Sequence, residues 1–230
     1  MTPPLPKDNI AKLLERVRLR SQKSQKAEND IILLAVSKTR PAEDIRAAFE
    51  CGLTQFGESY LQEAVDKITA LADLPITWHF IGPIQSNKTR PIAEHFQWAQ
   101  SIERPKIARR LNDQRPDDIP PLQVCLQVNI SGEQSKSGAS LDELDALAAL
   151  VEELPRLELR GLMAIPAATD IESEQRVAFA TLRQVFEQLK LKHPQMDTLS
   201  MGMSGDMEAA IAEGSTMVRI GTAIFGPRQG

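Results

Sequence analysis

"IILLAVSKTR", residues 31–40, is six apolar residues followed by a serine, a lysine, a threonine and an arginine. A short, unbroken apolar run reads as a strand buried on both faces, the kind that parallel sheets use. The pattern predicts a strand over 31–37 and puts Lys38 directly after it. Strand-like segments recur outward from this one at 55–57, 78–81, 98–102, 122–130, 157–165, 198–201 and 217–225. Helical stretches fall between them, over 42–51, 59–71, 88–96, 104–115, 141–154, 172–192 and 205–213. A further helix over 9–26, with Ile10, Leu13, Leu14 and Val17 on one face, precedes the first strand.

Strands that alternate with helices build a parallel sheet covered by helices. Eight repeats point to a closed (β/α)8 TIM barrel rather than an open, doubly wound sheet. Only five residues, Gly226 to Gly230, follow the last strand, so no helix is expected there. The extra N-terminal helix is expected to fill that gap in the outer ring. No linker, low-complexity tract or shift in composition divides the chain, so 1–230 reads as a single domain.

Charged residues make up 25% and hydrophobic residues 42% of the 230, a soluble globular balance. The net charge of −4 gives no general attraction to nucleic acid. A basic stretch with Arg16, Arg18 and Arg20 reads as a solvated helix face, with a nucleic-acid or protein contact as its rival. The two cysteines, Cys51 and Cys125, lie far apart and form neither a metal-ligand pattern nor a disulfide framework. The start has no signal-peptide core and no apolar run reaches membrane-spanning length, so a cytoplasmic protein is expected.

In a barrel of this kind, chemistry belongs at the carboxyl ends of the strands. Lys38 stands at such an end and is either a rim lysine whose amine reaches solvent or a nucleophile. Desolvation disfavours an ammonium, and a neutral amine can condense with a carbonyl to a Schiff base. "SMGMSGDMEAAIAEGS", residues 200–215, places Ser204 where a helix cap belongs, with Gly205 after it. This is either an ordinary capped helix or a phosphate cradle, because free N–H groups at a helix start bind anions. Gly221 and Thr222 interrupt an apolar strand, which marks close backbone approach or a kink. Phosphates in barrels often sit between the loops after strands seven and eight, where these two pairs fall. Arg219 lies two residues before Gly221 and shares its side of the strand. If that side is the barrel interior, Arg219 is a buried cation that needs an acceptor, either a barrel carboxylate or a ring nitrogen of a bound cofactor. An amine, a phosphate cradle and an inward arginine together suggest pyridoxal 5′-phosphate (PLP).

"LLAVSKTRP", "QFGESYLQEAVDK", "WHFIGPIQSNKTR", "LQVNISGEQSKSG", "GLMAIP" and "LSMGMSGDMEAAIAEGSTMVRIGTAIFG" carry a resemblance over residues 31–226. The chain resembles the PLP homeostasis proteins, also called the YggS/PROSC family. The resemblance implies a barrel similar to the N-terminal domain of alanine racemase, with PLP held as an internal aldimine on Lys38. It implies phosphate contacts from Ser204, Gly205, Gly221 and Thr222, and Arg219 facing the pyridine nitrogen. Met163 in "GLMAIP" would line the pocket, with a plain core methionine as the other reading. Where the family often has "GENY" this chain has "GESY", so Ser59 stands in place of an asparagine.

Guanidinium only donates, so a pyridine nitrogen facing Arg219 stays unprotonated and is a weaker electron sink. Alanine racemase takes a second base, a tyrosine, from a second domain of a partner chain, and this chain has no such domain. The only tyrosine, Tyr60, stands at the start of a helix and is a poor match for it. The resemblance therefore implies a monomeric carrier and buffer of PLP (vitamin B6) without efficient catalysis. It would deliver the cofactor to PLP-dependent apo-enzymes, and the alternative is a low-activity amino-acid racemase. Lys136 in "SKSG" reads as a solvated loop lysine, with a second PLP-reactive amine as the other reading. "QSNKTR", residues 85–90, reads as helix capping by Ser86 or Asn87.

Overall fold

The computed structural model describes residues 7–23, 31–131 and 137–227. In chain order the elements are α1 (Lys7–Lys23), β1 (Ile32–Val36), α2 (Ala42–Glu50), β2 (Gln55–Glu58), α3 (Leu61–Ala70) and β3 (Thr77–Phe80). Then come α4 (Thr89–His95), β4 (Trp98–Ile102), α5 (Pro105–Gln114), β5 (Leu122–Gln127), α6 (Leu144–Glu152) and β6 (Leu157–Met163). The last five are α7 (Glu172–Lys192), β7 (Thr198–Ser200), α8 (Met207–Ala212), β8 (Met217–Ile220) and α9 (Thr222–Phe225). Each strand pairs in parallel with the next, and β8 returns to β1, closing the barrel.

Two apolar layers follow from the strands' period of two. Leu33, Ala35, Phe56, Trp78, Phe80, Val124 and Leu126 join helix residues such as Ile45, Ala64 and Ile92 in one continuous cluster. Between Val124 and Leu126, Cys125 points the other way and forms a separate cluster with Trp98 and Met163 inside the barrel. Gly161 permits the tightest strand contact. A Cβ there would stand 1.7 Å from the Thr198 carbonyl oxygen on β7.

The fold differs from the sequence reading at three ends. β8 stops at Ile220, and Thr222–Phe225 is the short helix α9, so a helix does follow the last strand. A threonine followed by three apolar residues carries no period, so the sequence could not separate this turn from a strand. Gly221 therefore sits at a strand–helix junction, not inside a strand. α8 begins at Met207 with Asp206 at its N-cap, so Ser204 lies in the turn before the helix and does not cap it. No side chain caps α4 either; the Ser86 backbone carbonyl accepts from the Thr89 hydroxyl at 3.1 Å. As expected, α1 packs beside the end of the barrel, against α8 and α9. Arg16 pairs there with Glu208 at 2.5 Å, and Arg18 pairs with Glu15 at 2.7 Å. These pairs leave the basic stretch partly neutralised, in keeping with a solvated helix face.

Candidate functional site

The barrel interior is polar along one path. His79 stacks on Trp98, ring centroids 5.1 Å apart and nearly parallel. Its Nε2 lies 2.6 Å from Gln55 Oε1 and its Nδ1 lies 2.9 Å from Gln100 Nε2. Gln100 Oε1 accepts from the Ser200 hydroxyl at 2.7 Å, and Ser200 Oγ accepts from Arg219 Nη1 at 2.8 Å. The directions along this chain are set from one end. Arginine only donates, so the Ser200 hydroxyl gives its own proton to Gln100 Oε1. The Gln100 amide then faces His79 with an N–H, so Nδ1 accepts and Nε2 carries the proton that Gln55 receives. His79 is neutral, and full burial holds its pKa down to about 3.

Arg219 faces inward, as its position predicts, and is 4% exposed. Its acceptors are the Ser200 carbonyl at 2.7 Å, the Ser200 hydroxyl and the Ala164 carbonyl at 2.8 Å, and no carboxylate among the described residues bonds to it. Burial lowers its pKa to about 10, against the pull of Asp206, so it remains a cation at neutral pH. Two of these bonds use Nη1 and one uses Nη2. The Nε–H and one Nη2–H have no acceptor among the described residues and could serve a ligand.

The other expected residues gather in the same sector of the mouth. Lys38 stands in the turn after β1, partly buried. Leu34 of β1 pairs with Arg219 of β8, and a Cβ on Gly221 would lie 3.3 Å from the Val36 carbonyl, two residues before Lys38. Ser204 and Gly205 follow β7, the strand on the other side of β8, and the Gly202 carbonyl accepts from Arg219 N–H at 2.9 Å. A Cβ on Gly205 would meet nothing within 4 Å. The N–H groups of Ser204, Gly205, Thr222 and Ala223 make no hydrogen bond among the described residues. The acidic residues nearby are turned to other work: Asp206 Oδ1 accepts from Met203 N–H at 2.5 Å and Glu208 pairs with Arg16. Met163 is fully buried against Trp98 and Cys125 in the interior, and it pairs across β6–β7 with Ser200. Lys136 lies outside the described residues. Tyr60 precedes α3 and is 52% exposed.

An amine, unpartnered backbone N–H groups and an inward cation thus converge where β8 meets β1 and β7. Residues 9–229 match the family described as alanine racemase, N-terminal domain. The pyridoxal phosphate homeostasis protein of Pseudomonas aeruginosa is 59% identical over 221 residues, covering 96% of this chain and 95% of that one. The protein of the same name from Escherichia coli K12 is 57% identical over 226 residues, with 96% and 95% covered. The chain belongs to the pyridoxal phosphate homeostasis protein family. Among solved structures, PipY of Synechococcus elongatus with PLP bound is 38% identical with a TM-score of 0.80, covering 93% of this chain and all of that one. Alanine racemase of Corynebacterium glutamicum, at 18% identity, has a TM-score of 0.67 over 97% of this chain and 61% of its own. That likeness is one of fold.

The sequence reading missed the polar path and a second group behind Lys38. Glu58 is fully buried, and its Oε1 accepts from the Ser37 hydroxyl at 2.6 Å and from Lys67 Nζ at 2.9 Å. Burial raises the Glu58 pKa against the pull of Lys67. The available signal was the placement of His79 and Gln100 within strands that carry mostly apolar residues.

Proposed function

We propose that this protein binds PLP in the β7–β8–β1 sector and serves as a carrier and buffer of the cofactor. The observation that carries the reading is the solved relative with PLP bound, 38% identical over nearly the whole chain. The residues here fit the group. The open space at Gly205 and the unpartnered N–H groups of Ser204, Gly205, Thr222 and Ala223 suit a phosphate dianion. The Nε–H and Nη2–H left on Arg219 suit a ring nitrogen that accepts, and Lys38 supplies the amine for the aldehyde. When bound, PLP brings an aldehyde that condenses with amines and a ring that draws electrons from carbon attached to it.

The family relatives bear the name of a homeostasis protein. Two features of this chain support binding without efficient catalysis. Arg219 is held by three acceptors and can only donate, so it cannot protonate the ring, and the electron sink stays weak. Tyr60 stands half exposed at the head of α3 and offers no buried second base. On this reading 1–230 acts as one PLP-binding unit, a cytoplasmic monomer that hands the cofactor to apo-enzymes. No described helix is long and apolar enough to cross a membrane.

Adding PLP to the purified protein tests the proposal. After free PLP is removed by gel filtration, saturable yellow absorbance that stays with the protein and that Lys38→Ala abolishes is expected; a wild type that emerges colourless overturns it. Incubation with L-alanine or L-serine separates the racemase alternative, since appearance of the D-isomer above the buffer control would favour it.

A further inference from the structure

Both peptide groups that flank Lys38 are held by one helix. The Ser37 carbonyl accepts from Lys67 Nζ at 2.8 Å, and the Thr39 N–H donates to Glu63 Oε1 at 2.6 Å. Glu63 and Lys67 lie one turn apart on α3 and are bonded to each other. Lys67 also reaches Glu58, which holds the Ser37 hydroxyl, so side chains of β2 and α3 encircle the turn. Thr39 adopts φ 66°, the only non-glycine residue with positive φ among those described. A β-branched residue in that region is strained and persists only where its surroundings hold it. The grouping is also expensive for a helix anchor. The Lys67 side chain is 7% exposed, that of Glu58 is 0%, and Glu58 Oε2 has no partner among the described residues. Apolar residues would fasten α3 to the barrel at less cost in desolvation.

We propose that Glu63 and Lys67 are positioning residues for Lys38. They fix the peptide on each side of it and so set the line along which its amine meets an aldehyde. Capture joins the Lys38 nitrogen to the aldehyde carbon, and the aldehyde oxygen leaves with two protons as water. The device acts on that capture and leaves ring and phosphate binding to the β7 and β8 loops. This inference rests on the PLP reading above.

Glu63 is the residue to change, because its side chain is 31% exposed and alanine is compatible with the first turn of a helix. The probes are PLP and pyridoxamine 5′-phosphate, which keeps the ring and phosphate but carries an amine in place of the aldehyde. Loss of the Thr39 N–H bond, together with the ion pair to Lys67, predicts about tenfold weaker PLP binding in Glu63→Ala. Pyridoxamine phosphate affinity should stay within about twofold, because no bond to ring or phosphate is lost. Glu63→Gln, whose amide oxygen still accepts from Thr39, should recover most of the loss. Glu63→Met, which keeps the stem without an acceptor, should repeat the alanine result. Equal loss for both probes, or no loss for PLP, overturns the proposal while the wild-type adduct on Lys38 stands. A wild type without that adduct overturns the PLP reading and the positioning role with it.

Discussion

Replacing Gln100 with leucine removes the middle of the interior hydrogen-bond chain at little change in volume. His79 Nδ1 then loses its donor and the Ser200 hydroxyl loses its acceptor, both in a fully buried setting. A buried polar group left unpaired costs about 1–3 kcal/mol, so two orphans predict a loss of about 3 kcal/mol or more. For a chain of this length each kcal/mol lowers the melting temperature by roughly 2–4 °C, which gives a fall of about 6–12 °C. Thermal unfolding followed by circular dichroism at neutral pH measures it. A double-mutant cycle with His79→Phe should show that the two changes together cost at least about 1 kcal/mol less than their sum, because they share one bond. A fall below about 3 °C, equivalent to under about 1 kcal/mol, would refute the idea that these bonds are paired in a chain directed by Arg219.

Acid should expose the buried histidine. Its folded pKa of about 3 lies below the unfolded value of 6.5, so the unfolded chain takes up the proton first. His79 therefore removes stability as pH falls through 6.5, by up to about 1.4 kcal/mol per unit, until the loss levels off near 3. Denaturant melts at about pH 6 and about pH 4 should show a shallower loss for His79→Gln than for wild type; equal slopes would contradict the assignment. Two glycines should separate fold from site. Gly161→Ala drives a Cβ into the Thr198 carbonyl and should abolish soluble expression. Gly205→Ala meets no atom and should melt like wild type while weakening PLP binding about tenfold or more, by crowding the phosphate. Unchanged PLP affinity in a folded Gly205→Ala protein would remove Gly205 from the cradle.

The barrel was legible because its signal is repetition. Eight strand-like segments, the first seven each followed by a helical stretch, leave few topologies, and the structure closes them in chain order. Arg219 was legible too, since a cation two residues before a glycine at the carboxyl end of a strand has one side to point to. The ends of elements were harder. Ser204 and Asp206 are both good cap residues two positions apart, and the choice fell to Asp206. The polar groupings hid for a different reason. Glu63 and Lys67, one helical turn apart, read as an exposed ion pair on any helix. Only the packing of α3 against the β1 turn shows that both face the Lys38 backbone.

If Lys38 is the amine that takes PLP, it carries the cofactor after reduction. Borohydride reduction of the protein mixed with stoichiometric PLP, followed by proteolysis and mass spectrometry, reads it directly. The phosphopyridoxyl mass is expected on the peptide containing Lys38. No label on that peptide, or label equally shared with surface lysines, would contradict it.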